Sequence, residues 1–317
     1  GMRERAEAMV LASFAADSHA LGAHWIYDMD EIASRYGRVE RLLPPPPDSL
    51  HAGRAKGSFT HYGDQTMVLL RHLAAHHELD LASFSQEWRE AMESYDGYVD
   101  AATKRTLEKL AGGVAPDEAG SDSSDLSGAA RIAPIVYLYR DDRDRLETAA
   151  RSQAALTHNN ELVIESAGFL ARVLRRVLNG KTPIAAMRTV LDEIGGSPID
   201  RFIADGLASA DIETLAATER FGRQSAVENA LPLTVHLIAK YEGSLRGALV
   251  ENVAAGGDSA ARGMIVGMIL GAFHGPDAIP DEWIVELRAY RDINALLEDL
   301  EAAHQRSGTP NPSSNAY

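Results

Sequence analysis

Apolar residues recur along this chain with the period of an α-helix. Between Arg3 and Leu21, Met9, Val10, Ala12, Ser13 and Ala16 follow helical spacing. The pattern returns over residues 65–77 through Met67, Leu70, Leu73 and Ala74. It predicts further helices over 85–95, 103–110, 147–156, 160–178, 183–194, 227–242, 245–253, 259–273 and 281–304. Two-residue alternation is nearly absent; residues 135–139 form the one short candidate strand and read equally well as helix. Four consecutive prolines, Pro44 to Pro47, dictate an extended loop, because they neither donate backbone hydrogen bonds nor continue a helix. Residues 112–128, rich in Gly, Ser and Asp, predict a mobile loop. No repeat or composition shift divides the chain. The expected fold is all-α, one compact multi-helix domain over residues 1–306, followed by a polar tail, 307–317, expected to be disordered.

Composition narrows the chemistry. Of 317 residues, 45% are hydrophobic, enough for a large core. The absence of cysteine excludes disulfides, thiolate-bound zinc and a thiol nucleophile, and fits a reducing compartment. Residues 1–20 are interrupted by Asp17, His19 and several Glu and Arg, so no signal peptide is expected. No run of 18 apolar residues predicts a membrane span, and a cytoplasmic location follows as the expectation. A net charge of −15 makes nucleic acid and anionic membranes poor partners. A small anion seated on helix N-termini remains compatible.

Four segments carry polar residues that a purely structural helix does not need. Asp17 and His24 lie seven apart, two helical turns, in a run of small residues. His61-Tyr62-Gly63-Asp64-Gln65-Thr66 and Thr157-His158-Asn159-Asn160 each precede a helix. Gly256-Gly257-Asp258-Ser259-Ala260-Ala261 opens a helix with Gly263, Gly267 and Gly271 at four-residue spacing. Plainer readings exist for most of them. Asp64 and Asp258 each stand where a helix N-cap belongs. His158 reads first as a partner of backbone or carboxylate. The glycine stripe reads as close helix packing, and Arg223 as an ordinary surface arginine. Asp17 is harder to set aside, since a buried mid-helix carboxylate costs several kcal/mol, as an order of magnitude, unless it is paired or ligated.

In this order the four segments resemble the ADP-ribosylglycohydrolase family, which includes the dinitrogenase-reductase-activating enzymes and the J1-type crystallins. The likeness spans roughly residues 6–300 and extends to Gly271-Ala272-Phe273-His274-Gly275, Ile279-Pro280 and Trp283. It implies hydrolysis of a glycosidic bond to ADP-ribose or a related nucleoside sugar, through a transition state resembling an oxocarbenium ion. The expected partner is an ADP-ribose-like ligand or an ADP-ribosylated substrate. Carried over position by position, the resemblance implies catalytic roles for Asp17, His24, Asp64 and His158. Ligand contacts are expected at Gly256, Gly257 and Arg223. Family members hold two magnesium ions through six positions, which here read Gly63, Asp64, Gln65, Asp258, Ala260 and Ala261, and His24 stands where many members have glutamate. The expectation is therefore at most one magnesium, held by Asp64, Gln65 and Asp258. The alternative is a non-catalytic ADP-ribose or nucleotide-binding protein, or a crystallin-like structural one.

Overall fold

The computed structural model describes residues 1–308. Among these are sixteen α-helices and no strand. In chain order they are α1 (Met2–Ala20), α2 (Met29–Tyr36), α3 (His61–His76), α4 (Leu81–Glu93), α5 (Ala101–Ala111), α6 (Ala133–Tyr139), α7 (Arg143–Thr157) and α8 (Glu161–Leu178). The second half adds α9 (Pro183–Glu193), α10 (Asp200–Ala208), α11 (Thr214–Phe221), α12 (Val227–Lys240), α13 (Leu245–Ala255), α14 (Ser259–His274), α15 (Asp281–Glu286) and α16 (Tyr290–Gly308). No helix among the described residues is long and apolar enough to cross a membrane.

The centre of the molecule is the antiparallel pair α1 and α14. Every residue of α14 from Ser259 to Ala272 is buried, the mark of a helix enclosed on all sides. The pair approaches so closely that a Cβ on Gly267 would lie 2.7 Å from the Ala12 carbonyl oxygen, and one on Gly271 2.7 Å from that of Ala8. The glycine stripe therefore does the packing its spacing suggests. Its register also sets the last turn of α1, with Asp17, beside the start of α14, capped by Asp258.

Caps draw other helix ends to the same place. Thr60 caps α3, its Oγ1 accepting from Tyr62 N at 3.1 Å while its own hydroxyl donates to Asp17 Oδ1 at 2.6 Å. Asp100 caps α5 by accepting from Thr103 N at 2.8 Å. His158 ends α7. Three helix N-termini and two C-termini thus meet around one cluster of buried polar side chains, which a pocket lined by Trp25 and Tyr27 reaches at His24.

Several expectations need correction. Residues 135–139 lie in α6 and are wholly buried, which is why periodicity could not assign them. The helix expected over 281–304 is two, because Leu287 turns extended and Arg288 N donates to Gly57 O at 3.1 Å, bracing the loop before α3. The stretch 112–128 is tied down at its far end. Leu126 N donates to Ser225 O at 2.9 Å and Val227 N to Ser124 O at 2.8 Å, and Leu126–Ala129 forms a 3-10 turn. Of the expected tail, residues 309–317 lie outside the described residues; α16 runs to Gly308.

Candidate active site

Asp258 is the best-anchored carboxylate in the cleft. It is completely buried, and both oxygens are engaged: Oδ1 by His24 Nε2 at 2.8 Å, Oδ2 by the Tyr62 hydroxyl at 3.0 Å. Burial pushes its carboxyl up, but the hydrogen bond and charge of His24, with Arg262 and Tyr62, bring it below the ordinary range. Burial likewise lowers His24, so a neutral ring donating Nε2–H to an ionised Asp258 is the stable arrangement. That tautomer leaves His24 Nδ1 as an acceptor for His51 Nε2–H at 2.8 Å, and His51 Nδ1 has no partner. Asp258 is also a helix cap, though a weak one, reaching Ala261 N at 3.5 Å.

Asp17 lies behind this centre. It accepts from Thr60 N at 2.8 Å as well as from the Thr60 hydroxyl, yet burial raises its carboxyl to about 7. Its Oδ2 fills the space over Gly63, where an added Cβ would sit 2.5 Å away. Asp64 is not a cap; Thr60 holds that position, and Asp64 N reaches back to Thr60 O at 3.2 Å. The Asp64 carboxylate is clasped by Arg54 Nη1 at 2.9 Å and by the Tyr95 hydroxyl. Gln65, expected as a carbonyl ligand, has that oxygen taken by Trp88 Nε1 at 3.0 Å and Arg131 Nη1 at 2.6 Å, while its amide donates to Thr103 Oγ1 at 3.2 Å. The buried Arg131 guanidinium also donates to Thr157 Oγ1, whose hydroxyl meets His158 Nδ1 at 2.7 Å. His158 Nε2 is buried without a partner, and burial lowers the ring to about 3.

The residues expected to touch ligand are used differently. Gly257 N donates to Ile26 O at 2.8 Å and Gly256 N to Val253 O at 3.0 Å, so neither amide is free for a phosphate. The two glycines, both at positive φ, instead let this turn pack on Arg223 O and Ile26 O, from which a Cβ would lie 2.0 and 2.8 Å. Arg223 is anchored by Nε to Ala255 O at 3.0 Å. Trp25, on the rim, is held at φ 68 by its bond from N to Gly257 O at 2.9 Å. A bulky residue in the left-handed region is strained, and such strain persists where its surroundings impose it.

The motif pattern does not assign roles to His51, Asp100, Asp125 and Tyr98. His61 makes ring contacts with His24, His51, Trp25, Tyr62 and Tyr98, with centroids 4.0–6.1 Å away. Its Nε2 lies 3.2 Å from Asp100 Oδ2, off the hydrogen-bond axis, and its Nδ1 is unpartnered. Burial would raise the Asp100 carboxyl, but His61 and Thr103 hold it well below the ordinary range. Asp125 is the opposite case: burial first, then the charges of Asp258 and Asp100, push it up to about 6. The Gly-Ser-Asp stretch containing Asp125 signalled a polar loop but not its destination.

Residues 1–310 match the sequence profile of the ADP-ribosylglycohydrolase domain. The chain belongs to the ADP-ribosylglycohydrolase family. Crystallin J1A of Tripedalia cystophora is 22% identical over 94% of this chain and 96% of its own length. ADP-ribosylhydrolase ARH3 of Mus musculus is 23% identical over 89% of this chain and 87% of its own. A solved structure described as an ADP-ribosylglycohydrolase-related protein complex shares the fold with a TM-score of 0.72, at 21% identity over 96% of this chain and 99% of that one.

Against the ADP-ribosylglycohydrolase pattern, the side chains here do not fit two magnesium ions. Gly63, Ala260 and Ala261 offer no side-chain oxygen. Gln65 Oε1 already accepts two hydrogen bonds, each Asp258 oxygen accepts at least one, and Asp64 is paired with Arg54. Magnesium demands about six oxygens in near-octahedral array. Guanidinium groups stand beside two of the six positions instead.

Proposed function

We propose that this ADP-ribosylglycohydrolase-family chain cleaves a glycosidic bond to ADP-ribose or a related nucleoside sugar without the two-metal cage. The observation that carries the reading is Asp258: buried, ionised, and bonded to two titratable donors. A fixed anion in a dry cleft stabilises positive charge developing at an anomeric carbon. Asp125, raised to about 6, is suited to protonate the leaving atom. His61, beside Asp100 and with Nδ1 free, is placed to take a proton from the attacking water. Asp17 and His158 support the floor through Thr60 and Thr157. Trp25 and Tyr27 line a pocket that reaches His24, with Tyr98 edge-on against Trp25, and these flat aromatic faces suit a nucleobase.

The test is release of ADP-ribose from serine- and arginine-linked substrates, with magnesium or with EDTA. Turnover that EDTA leaves unchanged, and that Asp258→Asn abolishes, supports the proposal. Strict magnesium dependence, with two ions bound per chain, would overturn it. A second reading is a protein with a structural or binding role, favoured by the likeness to Crystallin J1A and by the near-complete burial of His24, His51 and His61. Binding of ADP-ribose with no turnover of any linkage would select it.

A further inference from the structure

Another cluster of ligating side chains lies at the far end of α3. His72 and His76 are one turn apart and share a helix face. Glu87, on α4, reaches both: His72 Nδ1 contacts Oε2, and His76 Nε2 lies 3.0 Å from Oε1. One ligand atom from each residue falls within 4.8 Å of the others. Phe84 closes one side, its ring 5.2 Å from that of His72, and His72 itself is buried. The other side is open, since the side chains of His76 and Glu87 are 37% and 38% exposed. At a rise of about 1.5 Å per residue, His72 stands roughly 12 Å along the helix from Asp64, outside the cleft.

We propose that His72, His76 and Glu87 form a binding site for a divalent ion of the zinc class, which clamps α3 to α4. Two imidazole nitrogens and a carboxylate suit zinc, cobalt or nickel, and not the hard ions magnesium and calcium. Three protein ligands leave a coordination position facing water. In a tetrahedral zinc site, with bonds of about 2.0 to 2.1 Å, ligand atoms stand roughly 3.3 Å apart. The Glu87 oxygens now sit closer than that to the imidazoles, so the Glu87 side chain must rotate outward to make room.

The hydrogen bonds also say what the ion must displace. Asp80 N donates to His72 Nε2 at 3.2 Å, which places the ring proton on Nδ1, facing Glu87. An ion taking the Nδ1 lone pair moves that proton to Nε2 and gives up the Asp80 contact. The ion thus exchanges the His72–Glu87 and His72–Asp80 hydrogen bonds for coordination. Without the ion the same groups bond to each other, so the two helices stay paired and the metal adds stability to a chain already folded.

Zinc titration of the full chain by calorimetry, after dialysis against EDTA, tests the site. One zinc per chain is expected, with a melting temperature that rises with zinc and not with magnesium. His76→Ala and Glu87→Gln should each weaken binding at least about tenfold and remove the thermal shift. His51→Ala, in the cleft, should leave zinc affinity unchanged. Because His76 and Glu87 are partly exposed, zinc-free melts of both variants should stay near wild type, which separates lost binding from lost folding. No zinc binding by the wild type, or binding that neither variant weakens, would overturn the proposal.

Discussion

His24 and Asp258, 234 residues apart in sequence, meet at 2.8 Å with both side chains wholly buried. Removing the ring leaves the buried Asp258 charge with Tyr62 and a weak contact from Ala261 N, so His24→Ala should destabilise the fold by about 1.5–3 kcal/mol, the scale of a hydrogen bond to a charged group. Asp258→Asn should cost less, because it removes the charge while the amide oxygen can still accept from His24 Nε2. Urea denaturation of the two variants checks the ranking. Equal midpoints for His24→Ala and wild type would mean that the pair is not held as described.

Asp17 gives a pH signature. Its carboxyl sits at about 7 in the folded chain against an ordinary 3.8, so the native state binds a proton more tightly than the unfolded state does. The stability this group contributes is full below about pH 4, declines through the interval to about pH 7, and levels off above it. A carboxyl raised that far loses at most on the order of 4 kcal/mol across the interval. Buried histidines such as His158 slope the other way, so the observable is the difference between wild type and Asp17→Asn. That difference should fall from pH 4 to 7; a flat difference would show that Asp17 titrates normally.

Asp125 should govern the alkaline limb of any activity. With its carboxyl at about 6, the protonated form is lost as pH rises past that point, and turnover should fall with it. Asp125→Asn should remove that limb and lower the maximum by on the order of 10²–10³. A variant with an unchanged pH-rate profile would take Asp125 out of the reaction.

Packing makes its own forecast at Gly63. An alanine Cβ there would lie 2.5 Å from Asp17 Oδ2 and 2.6 Å from the Phe59 ring. Gly63→Ala should therefore destabilise by roughly 1–3 kcal/mol, as overpacked cores do. A threonine at this position, bulkier still, should be worse. Thermal melts of the two variants test the order.

The sequence made most of the longer helices visible. In α8 and α4 the apolar stripe is uninterrupted, and the period names the element. In α6 every side chain is buried, so no polar face marks the period, and helix and strand read alike. The short α2, α10 and α11 carry too few apolar positions to stand out. Asp17, His24, Asp64 and Asp258 were legible as candidates because they fall in ordered motifs. What surrounds them was not: Arg131 reaches Gln65 across 66 residues, and Trp88 reaches it from another helix. That Ala260 and Ala261 offer no side-chain oxygen shows in the letters, whereas the saturation of Gln65 and the sealing of Gly256 and Gly257 appear only when the chain folds back on itself.

The glycine seam between α1 and α14 has a consequence for biosynthesis. Helix α1 packs against α14, which begins at Ser259, so the site has no floor until both helices have left the ribosome. At roughly 5–20 residues per second, α1 waits on the order of 10–50 s for its partner. Throughout that time it exposes a wholly core-forming surface. A helix with a solvent-compatible face could wait unaided, but α1, buried from Ala6 to Ala20 save for Glu7 and Leu11, has none beyond its first turn. Expression of this chain should therefore depend on chaperone supply far more than its final stability would suggest.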